Sequence, residues 1–262
     1  MDGILKALNH RVQEPVFYEL LVGDQTQALN PLIGHTLRLE FLGEKQCVAC
    51  GRKVKKLYQG GYCFPCVTTL AETDLCIVKP HECHFHLGTC RDEEYGRTHC
   101  MIQHYVYLAV SSQAKVGLTR KGREFTRWVD QGANQAVLLA QVDTRKLAGE
   151  LEMEIAKNLP DKTNWRHLVQ GITTEVDLLD LANVTKNSLP KSMQGYVLPE
   201  FTLHKFTYPV LESITPKAKS IDLEKNTIES VLLGVRGQYL LFEQGAVNVK
   251  KHAGMLCKVD FK

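Results

Sequence analysis

Cysteine placement is the strongest constraint that this sequence puts on its fold. Of nine cysteines, eight lie between Cys47 and Cys100, and Cys257 stands apart. The start of the chain lacks the basic head, apolar core and cleavage site of a signal peptide, and we therefore predict a cytoplasmic protein. In that reducing compartment, a dense group of cysteines indicates bound metal rather than disulfides.

The first cysteine cluster consists of two Cys-x-x-Cys pairs with twelve residues between them. Each pair is a tight turn that brings two sulfurs to one ion, so two pairs supply the four thiolates of a tetrahedral zinc site. Gly51 follows the first pair and Gly60–Gly61 precedes the second, where turns favour glycine. The segment resembles a zinc ribbon, and its predicted zinc ligands are Cys47, Cys50, Cys63 and Cys66.

The second cluster has less regular spacing. We predict a second zinc site whose ligands are Cys76, Cys83, Cys90 and Cys100. Two alternatives remain open: His84 or His86 replaces one cysteine, or the sulfurs hold an iron–sulfur cluster, because spacing alone does not separate the two metals. Both sites are predicted to be structural, since they would fold a segment with few apolar residues of its own.

Composition narrows the functional classes only slightly. Hydrophobic residues make up 44% of the 262-residue chain and charged residues 23%, which is typical of a globular protein. The net charge of +3 permits a nucleic-acid partner without requiring one. No run of eighteen apolar residues occurs, so we expect no membrane partner.

Periodicity predicts an α+β arrangement along the chain. Alternating apolar residues mark strands near both ends, "NQAVLLAQVD" is typical of a strand, and "TRKLAGELEMEIAKNL" of a helix capped by Thr144. "NSLPKSMQGYVLPE" predicts a linker near 185–200. We therefore predict a β-rich N-terminal region (1–46), a cysteine-rich zinc-binding region (47–103), an α/β core (104–185) and a β-rich C-terminal region (195–262).

The stretch "HYVYLAVSSQAKVGLTR" predicts a β-hairpin at the start of the core. Val106, Leu108 and Val110 alternate with other side chains on a first strand, and a polar Ser-Ser-Gln loop leads to a second strand. Residues two apart on a strand point to one face, so Lys115 and Gly117 share a face of the second strand.

Residues in and after this hairpin resemble the motif of the GIY-YIG nuclease superfamily. That superfamily carries a tyrosine on a first strand and a glycine on a second, followed by an arginine, a glutamate and an asparagine. The matching positions are Tyr107, Gly117, Arg127, Glu152 and Asn164, and Lys115 stands in place of the second motif tyrosine. The resemblance covers about residues 104–168 and implies a small three-stranded sheet with flanking helices.

The resemblance implies a metal-dependent endonuclease that hydrolyses phosphodiester bonds in DNA or RNA. Glu152 would hold Mg²⁺, a cation that prefers carboxylate oxygen and water ligands. Tyr107 would assist deprotonation of water, with Lys115 as the nearby cation that favours its ionised form. Arg127 would contact the scissile phosphate as a planar, permanently charged donor.

The remaining motif residues have supporting roles in the same scheme. Gly117 would let the backbone approach substrate closely, and Asn164 would orient the phosphate or the backbone. Glu150 and Glu154 compete with Glu152 for the carboxylate role, but Glu152 lies beside the apolar stripe of its helix.

Two other functional hypotheses remain open at this point. In the first, the same core and the zinc ribbon hold nucleic acid, including structured RNA, without cutting it, and Lys115 at the tyrosine position favours this hypothesis. In the second, the cysteine-rich region is an adaptor that binds another protein.

The whole chain also resembles a prokaryotic family described as a domain of unknown function. Its members join two cysteine clusters to stretches of the "HxVYLA", "KVGxTR" and "DKTNWR" types, all of which occur in this sequence. That resemblance implies no particular activity.

Overall fold

The structure is a computed structural model that describes residues 1–159, 163–211 and 213–262. Its strands, in chain order, are β1 (Asp2–Arg11), β2 (Phe17–Val22), β3 (Gln25–Ala28), β4 (Thr36–Lys45), β5 (His104–Val110), β6 (Ala114–Arg120), β7 (Gln135–Val142), β8 (Leu203–Lys205), β9 (Ile228–Val231), β10 (Gly234–Arg236), β11 (Tyr239–Phe242), β12 (Gly245–Asn248) and β13 (Met255–Phe261).

Short helices alternate with these strands, which confirms the predicted α+β class. They are α1 (Phe64–Thr69), α2 (Leu75–Val78), α3 (Glu93–His99), α4 (Glu124–Asp130), α5 (Arg145–Ala156), α6 (Trp165–Gln170), α7 (Leu178–Ser188) and α8 (Lys191–Gln194). Over the described ranges, none of the helices has the length and apolarity needed to span a membrane.

The chain forms two compact units, each built from discontinuous segments. The first unit contains Met1–Thr68, Trp165–Ile172 and Phe206–Lys262, and the second contains Thr69–Asn164 and Thr173–Lys205. Each region predicted from sequence is one continuous stretch, whereas each unit combines stretches from different parts of the chain. The reason is that strand pairing joins residues far apart in sequence.

A six-stranded antiparallel sheet with the strand order β3-β2-β1-β13-β4-β9 dominates the first unit. The last strand lies in the middle, where Cys257 pairs with Gly3 on one side and Val259 pairs with Leu39 on the other. The predicted β-rich ends of the chain are therefore confirmed as strands, and they share one sheet. Cys257 is fully buried in this sheet, where it acts as a small apolar residue.

The second unit holds a four-stranded antiparallel sheet with the order β6-β5-β7-β8. The predicted hairpin is confirmed, and "NQAVLLAQVD" forms β7. One face of the sheet packs against α5 and α7 through a core that includes Leu108, Leu139, Leu151, Ile155 and Ala182. Burial of these side chains supplies the main favourable term for folding this unit.

The predicted cap and the apolar spacing of α5 are both confirmed. The Thr144 hydroxyl accepts a hydrogen bond from the N–H of Leu147 at 3.2 Å, which confirms the predicted cap. Leu151 and Ile155 are buried at four-residue spacing, as the periodic pattern indicated.

Two features of this unit differ from the sequence prediction. The sheet has four strands rather than three, because β8 adds to β7 through pairs such as Val137 with Leu203. The segment predicted as a linker lies along β7: the Leu198 N–H donates to the Leu139 carbonyl at 2.9 Å, and the Gln141 N–H donates to the Tyr196 carbonyl at 3.0 Å. A three-residue strand is too short to produce a recognisable alternation.

The buried His104 predicts a pH-dependent stability. Its Nδ1 donates to the Ile102 carbonyl at 2.7 Å, and burial lowers the pKa of His104 from 6.5 to about 4. The unfolded chain therefore binds more protons between these values, so this contribution is fully present above about pH 6.5 and is lost as the pH falls towards 4. We expect the free energy of unfolding to fall by about 3 kcal/mol over that window from this residue.

Urea unfolding of the wild type and of His104→Asn over that pH range measures the contribution of His104 to the free energy of unfolding. Asparagine keeps a donor for Ile102 but does not titrate, so the wild type should lose more stability on acidification than the variant. The exposed His167→Asn is the control and should retain the wild-type slope. Equal slopes for wild type and His104→Asn would contradict the assignment.

Candidate functional site

The first cysteine cluster is brought together in the first unit. The sulfurs of Cys47, Cys50, Cys63 and Cys66 all lie within 4.8 Å of one another, and the Cys50 and Cys63 sulfurs are 3.8 Å apart. We call the segment 47–66 the four-cysteine knuckle. Four sulfurs at this spacing form a ligand set suited to zinc.

Backbone geometry explains how the knuckle closes. Gly51 and Gly61 have φ of +68° and +113°, a region that favours glycine, at the turns predicted from sequence. At Gly61 a Cβ would also stand 2.8 Å from the Ala253 carbonyl oxygen, so no side chain fits there. The Cys47 N–H donates to the Arg52 carbonyl at 2.9 Å and closes the first turn.

Backbone N–H groups converge on the sulfur of Cys47. Burial opposes ionisation of this thiol, but the N–H groups of Cys50, Cys63 and Ala49 outweigh burial and lower the pKa of Cys47 to about 6. The thiolate is the metal-binding form of cysteine. The neighbouring sulfurs, by contrast, raise the pKa of Cys66 to about 12, so the lowered pKa belongs to Cys47 and not to the whole knuckle. Four thiolates around zinc would leave no open position for substrate.

The second cluster lies in the second unit and has a mixed composition. The four predicted cysteines Cys76, Cys83, Cys90 and Cys100 line one small cavity. Ligand atoms of Asp74, Cys76 and His84 lie within 4.8 Å of one another. Of the two histidines left open by the sequence, His84 is the one at the cavity. His86 instead directs Nε2 to within 3.4 Å of the Lys146 ammonium.

The second cluster packs tightly on α5. A Cβ at Gly149 would overlap the backbone nitrogen of His81 and stand 2.7 Å from Pro80, so only glycine allows the Pro80–Glu82 turn to lie on this helix. The Arg145 guanidinium donates to the Ile77 carbonyl at 2.6 Å, and the Arg145 N–H donates to the Cys100 carbonyl at 2.8 Å. A metal in this cluster would thus hold the first half of α5 in place.

The hairpin places Tyr107 across Gly117. The two residues pair directly, and a Cβ at Gly117 would lie 2.5 Å from the Tyr107 hydroxyl oxygen. The glycine therefore makes room for the tyrosine ring, which is a different reason from the substrate approach inferred from sequence. The ring is fully buried and packs edge-on against Trp128 of α4 at 5.9 Å.

Charged groups of α4 and α5 act on the Tyr107 hydroxyl. The hydroxyl donates to the Gln131 side-chain oxygen at 2.9 Å. Burial raises the pKa of Tyr107, Arg127 lowers it through its charge and a hydrogen bond, and Glu152 raises it. Tyr107 is therefore in contact with Gly117 and Arg127, and Glu152 on α5 acts on its phenol through charge. Arg127 is exposed and Glu152 is half-buried, so both can reach a ligand from solvent.

Lys115 and Asn164 lie at the loop end of the same hairpin. Lys115 shares the Tyr107 face, is 3% exposed, and donates from its ammonium to the Thr163 hydroxyl at 2.7 Å. The Asn164 N–H donates to the Ser112 hydroxyl at 3.2 Å. In the "DKTNWR" stretch, Asp161 and Lys162 lie outside the described residues.

Comparison with known proteins identifies the family. A family model described as "Protein of unknown function (DUF2797)" matches residues 34–257. The chain belongs to this family. No curated protein and no solved structure matches this DUF2797 member.

Sequence reasoning missed several residues at these sites in the DUF2797 chain. Asp74 precedes Cys76 by two residues, a spacing that places its carboxylate at the second cluster. Gln131 follows Arg127 by four residues, which is the spacing of helical neighbours, and it meets the same tyrosine. No sequence pattern marks Ser112 or Thr163, because each is a polar residue in a loop.

We expect the purified DUF2797 chain to carry two tightly bound zinc ions. Cys50→Ser should remove one ion and Cys76→Ser the other, because Cys76 belongs to both ligand sets of the second cluster. Elemental analysis with a visible spectrum measures this, and the buried Cys257→Ala should retain both ions. One ion or none in the wild type would contradict the two-site prediction, and iron absorbance would contradict zinc at the second site.

His84→Ala then decides between the ligand sets of the second cluster. Loss of one ion in this variant indicates the mixed set with Asp74 and His84. Retention of both ions indicates four thiolates, and Asp74→Asn should agree with His84→Ala in either case.

We expect Gly117→Ala to displace the Tyr107 ring. The added methyl group would overlap the phenol, at a cost of about 1–3 kcal/mol in the free energy of unfolding. Urea unfolding measures the cost. Trp128 fluorescence reports the ring movement, because Trp128 contacts Tyr107.

Two comparisons make the Gly117 experiment specific. In a Tyr107→Ala background, the cost of Gly117→Ala should largely disappear, as a double-mutant cycle would show. Gly195→Ala has open space around its Cβ and should be near neutral. An equal cost in both backgrounds would show that Gly117 is required for another reason.

Proposed function

We propose that this protein is a cytoplasmic, metal-dependent endonuclease with a GIY-YIG-like site in its second unit and a zinc-ribbon-like knuckle in its first. The observation that carries the proposal is that the Tyr107 hydroxyl is hydrogen-bonded to Arg127 and Gln131, while the charge of Glu152 on α5 acts on the same phenol. The interaction of Tyr107 with Arg127, two residues of the sequence that resembles the nuclease motif, supports the proposal of a shared site.

The side chains offer complementary chemistry for a phosphodiester. Arg127 is an exposed, permanently charged donor at the end of α4, suited to hold a phosphate oxygen in a fixed orientation. Glu152 is a half-buried carboxylate with solvent on one side, which fits a hard cation that keeps several water ligands. Bound Mg²⁺ would supply charge stabilisation at the phosphate.

Tyr107 takes a different role in this proposal from that of a general base. Burial raises the pKa of its phenol despite the nearby Arg127, so the hydroxyl stays protonated at neutral pH. A protonated phenol held by Gln131 orients the guanidinium of Arg127. The cation beside the hydroxyl is Arg127, whereas Lys115 donates to Thr163.

The second candidate function is nucleic-acid binding without cleavage. Full burial of Tyr107 and near-complete burial of Lys115 favour it, because neither group faces solvent as a reacting group would. Exposed Arg127 would still bind phosphate in this case.

Cleavage assays on plasmid DNA, single-stranded DNA and structured RNA, with Mg²⁺ or with none added, test the proposal. We expect Mg²⁺-dependent cleavage that falls about 100-fold or more in Arg127→Ala and in Glu152→Gln. Arg123→Ala, at the residue before α4, and Glu150→Gln, on the same helix as Glu152, are exposed controls and should retain activity.

The outcomes separate the hypotheses. Absence of cleavage together with binding that Arg127→Ala weakens supports the binding function. Equal loss in Glu150→Gln and Glu152→Gln would contradict the assignment of the carboxylate. If the wild type neither cuts nor binds any of these substrates, both functions are excluded. The remaining hypothesis is then an adaptor that binds another protein.

A further inference from the structure

We propose that the exposed face of the four-cysteine knuckle is a separate binding surface for single-stranded nucleic acid. We call it the knuckle surface and define it by Arg52, Lys55, Lys56, Tyr58 and Phe64. It lies entirely in the first unit, whereas Tyr107, Arg127 and Glu152 lie in the second. The inference therefore does not depend on whether the protein cleaves its ligand.

An exposed aromatic ring is the first observation. Phe64 is 61% exposed, although it begins α1 directly after the buried Cys63. The Cys63 N–H donates to the Cys47 sulfur at 3.2 Å, so the backbone that carries the ring is fixed by the knuckle. A large ring held out in solvent on a rigid support is suited to stack on another planar group.

The neighbouring side chains extend this ring into an aromatic and cationic row. Tyr58 meets Phe64 edge-on with ring centroids 5.9 Å apart. The Lys56 ammonium lies over the Tyr58 ring, 4.8 Å from its centroid. A base that stacked on Phe64 would thus have a cation within reach of its phosphate.

The local charge balance favours an anionic ligand. Residues 51–62 contain four cations, Arg52, Lys53, Lys55 and Lys56, and no acidic residue. Lys53 pairs with Glu44 at 2.7 Å. Arg52, Lys55 and Lys56 are exposed, and three such cations are enough to neutralise a short run of phosphates.

The combination selects single-stranded nucleic acid over other anions. In a duplex, the faces of the bases are stacked inside the helix, so Phe64 could not reach them. A single strand offers both base faces and phosphates at short, regular spacing. An anionic membrane normally requires a larger apolar face, and α1 has only six residues.

Fluorescence anisotropy with the full-length, zinc-loaded chain tests this proposal. The probes are labelled oligothymidylate and oligouridylate of about twelve nucleotides, within the usual range of such sites, without added Mg²⁺. Phe64→Ala should weaken binding about tenfold or more at every salt concentration, and Phe64→Trp should restore it. In the double variant Lys55→Ala/Lys56→Ala, the slope of log K against log salt concentration should become shallower by about 1.4.

Matched variants in the second unit are the controls. Tyr196→Ala removes another exposed aromatic ring, and Lys191→Ala/Lys205→Ala removes two other exposed lysines. Both should bind as the wild type does. Unchanged zinc content and circular dichroism show that each variant is folded, and Phe64 is exposed enough for truncation to leave the knuckle intact.

Several results would overturn the proposal. These are absence of oligonucleotide binding, wild-type affinity in Phe64→Ala, or an equal loss in the Tyr196 and lysine controls. Phe64-dependent sedimentation with phosphatidylserine vesicles, without oligonucleotide binding, would identify a membrane surface instead. Loss of oligonucleotide binding in Arg127→Ala but not in Phe64→Ala would assign binding to the second unit. Absence of cleavage alone would leave the knuckle surface unaffected.

Discussion

Convergence of cysteine sulfurs is the constraint on which much of this structure depends. Four sulfurs within 4.8 Å of one another in the knuckle have no disulfide to join them, and all nine cysteines are free. Thiolates this close repel each other unless a cation lies between them. A metal would therefore supply the folding free energy that the polar residues 51–56 cannot supply by burial.

The same principle links the second cluster to the proposed site. Gly149 and Arg145 hold the Pro80–Glu82 turn and the segment before it against α5, and Glu152 lies less than one helical turn beyond Gly149. Order in the cysteine-rich segment and the position of the Glu152 carboxylate are therefore mechanically connected. A metal in the second cluster would therefore help to fix the position of Glu152.

At the centre of the second unit, one close contact decides how the site is built. Tyr107 can lie flat across the hairpin only because Gly117 has no side chain. Its hydroxyl then reaches Gln131 and Arg127 on α4, and Trp128 covers the ring from the same helix. Because Gly117 has no side chain, Tyr107 on β5 can also contact α4.

Sequence alone determined the local features of this protein. The two Cys-x-x-Cys pairs, the Thr144 cap, the stripe of Leu151 and Ile155 and the hairpin are all encoded by spacing within a few residues, and each appears as predicted. The order of Tyr107, Gly117, Arg127 and Glu152 predicted a shared site, which is part of the proposed function. Short-range periodicity and turn chemistry are enough for such features.

Only the tertiary structure decided which distant residues meet. It inserted β13 between β1 and β4 and added the three-residue β8 to the second sheet. It also buried Tyr107 and Lys115, which changes the chemistry expected of both. These outcomes depend on long-range packing and on desolvation, and neither leaves a periodic signal in the sequence, because the partners are separated by many residues.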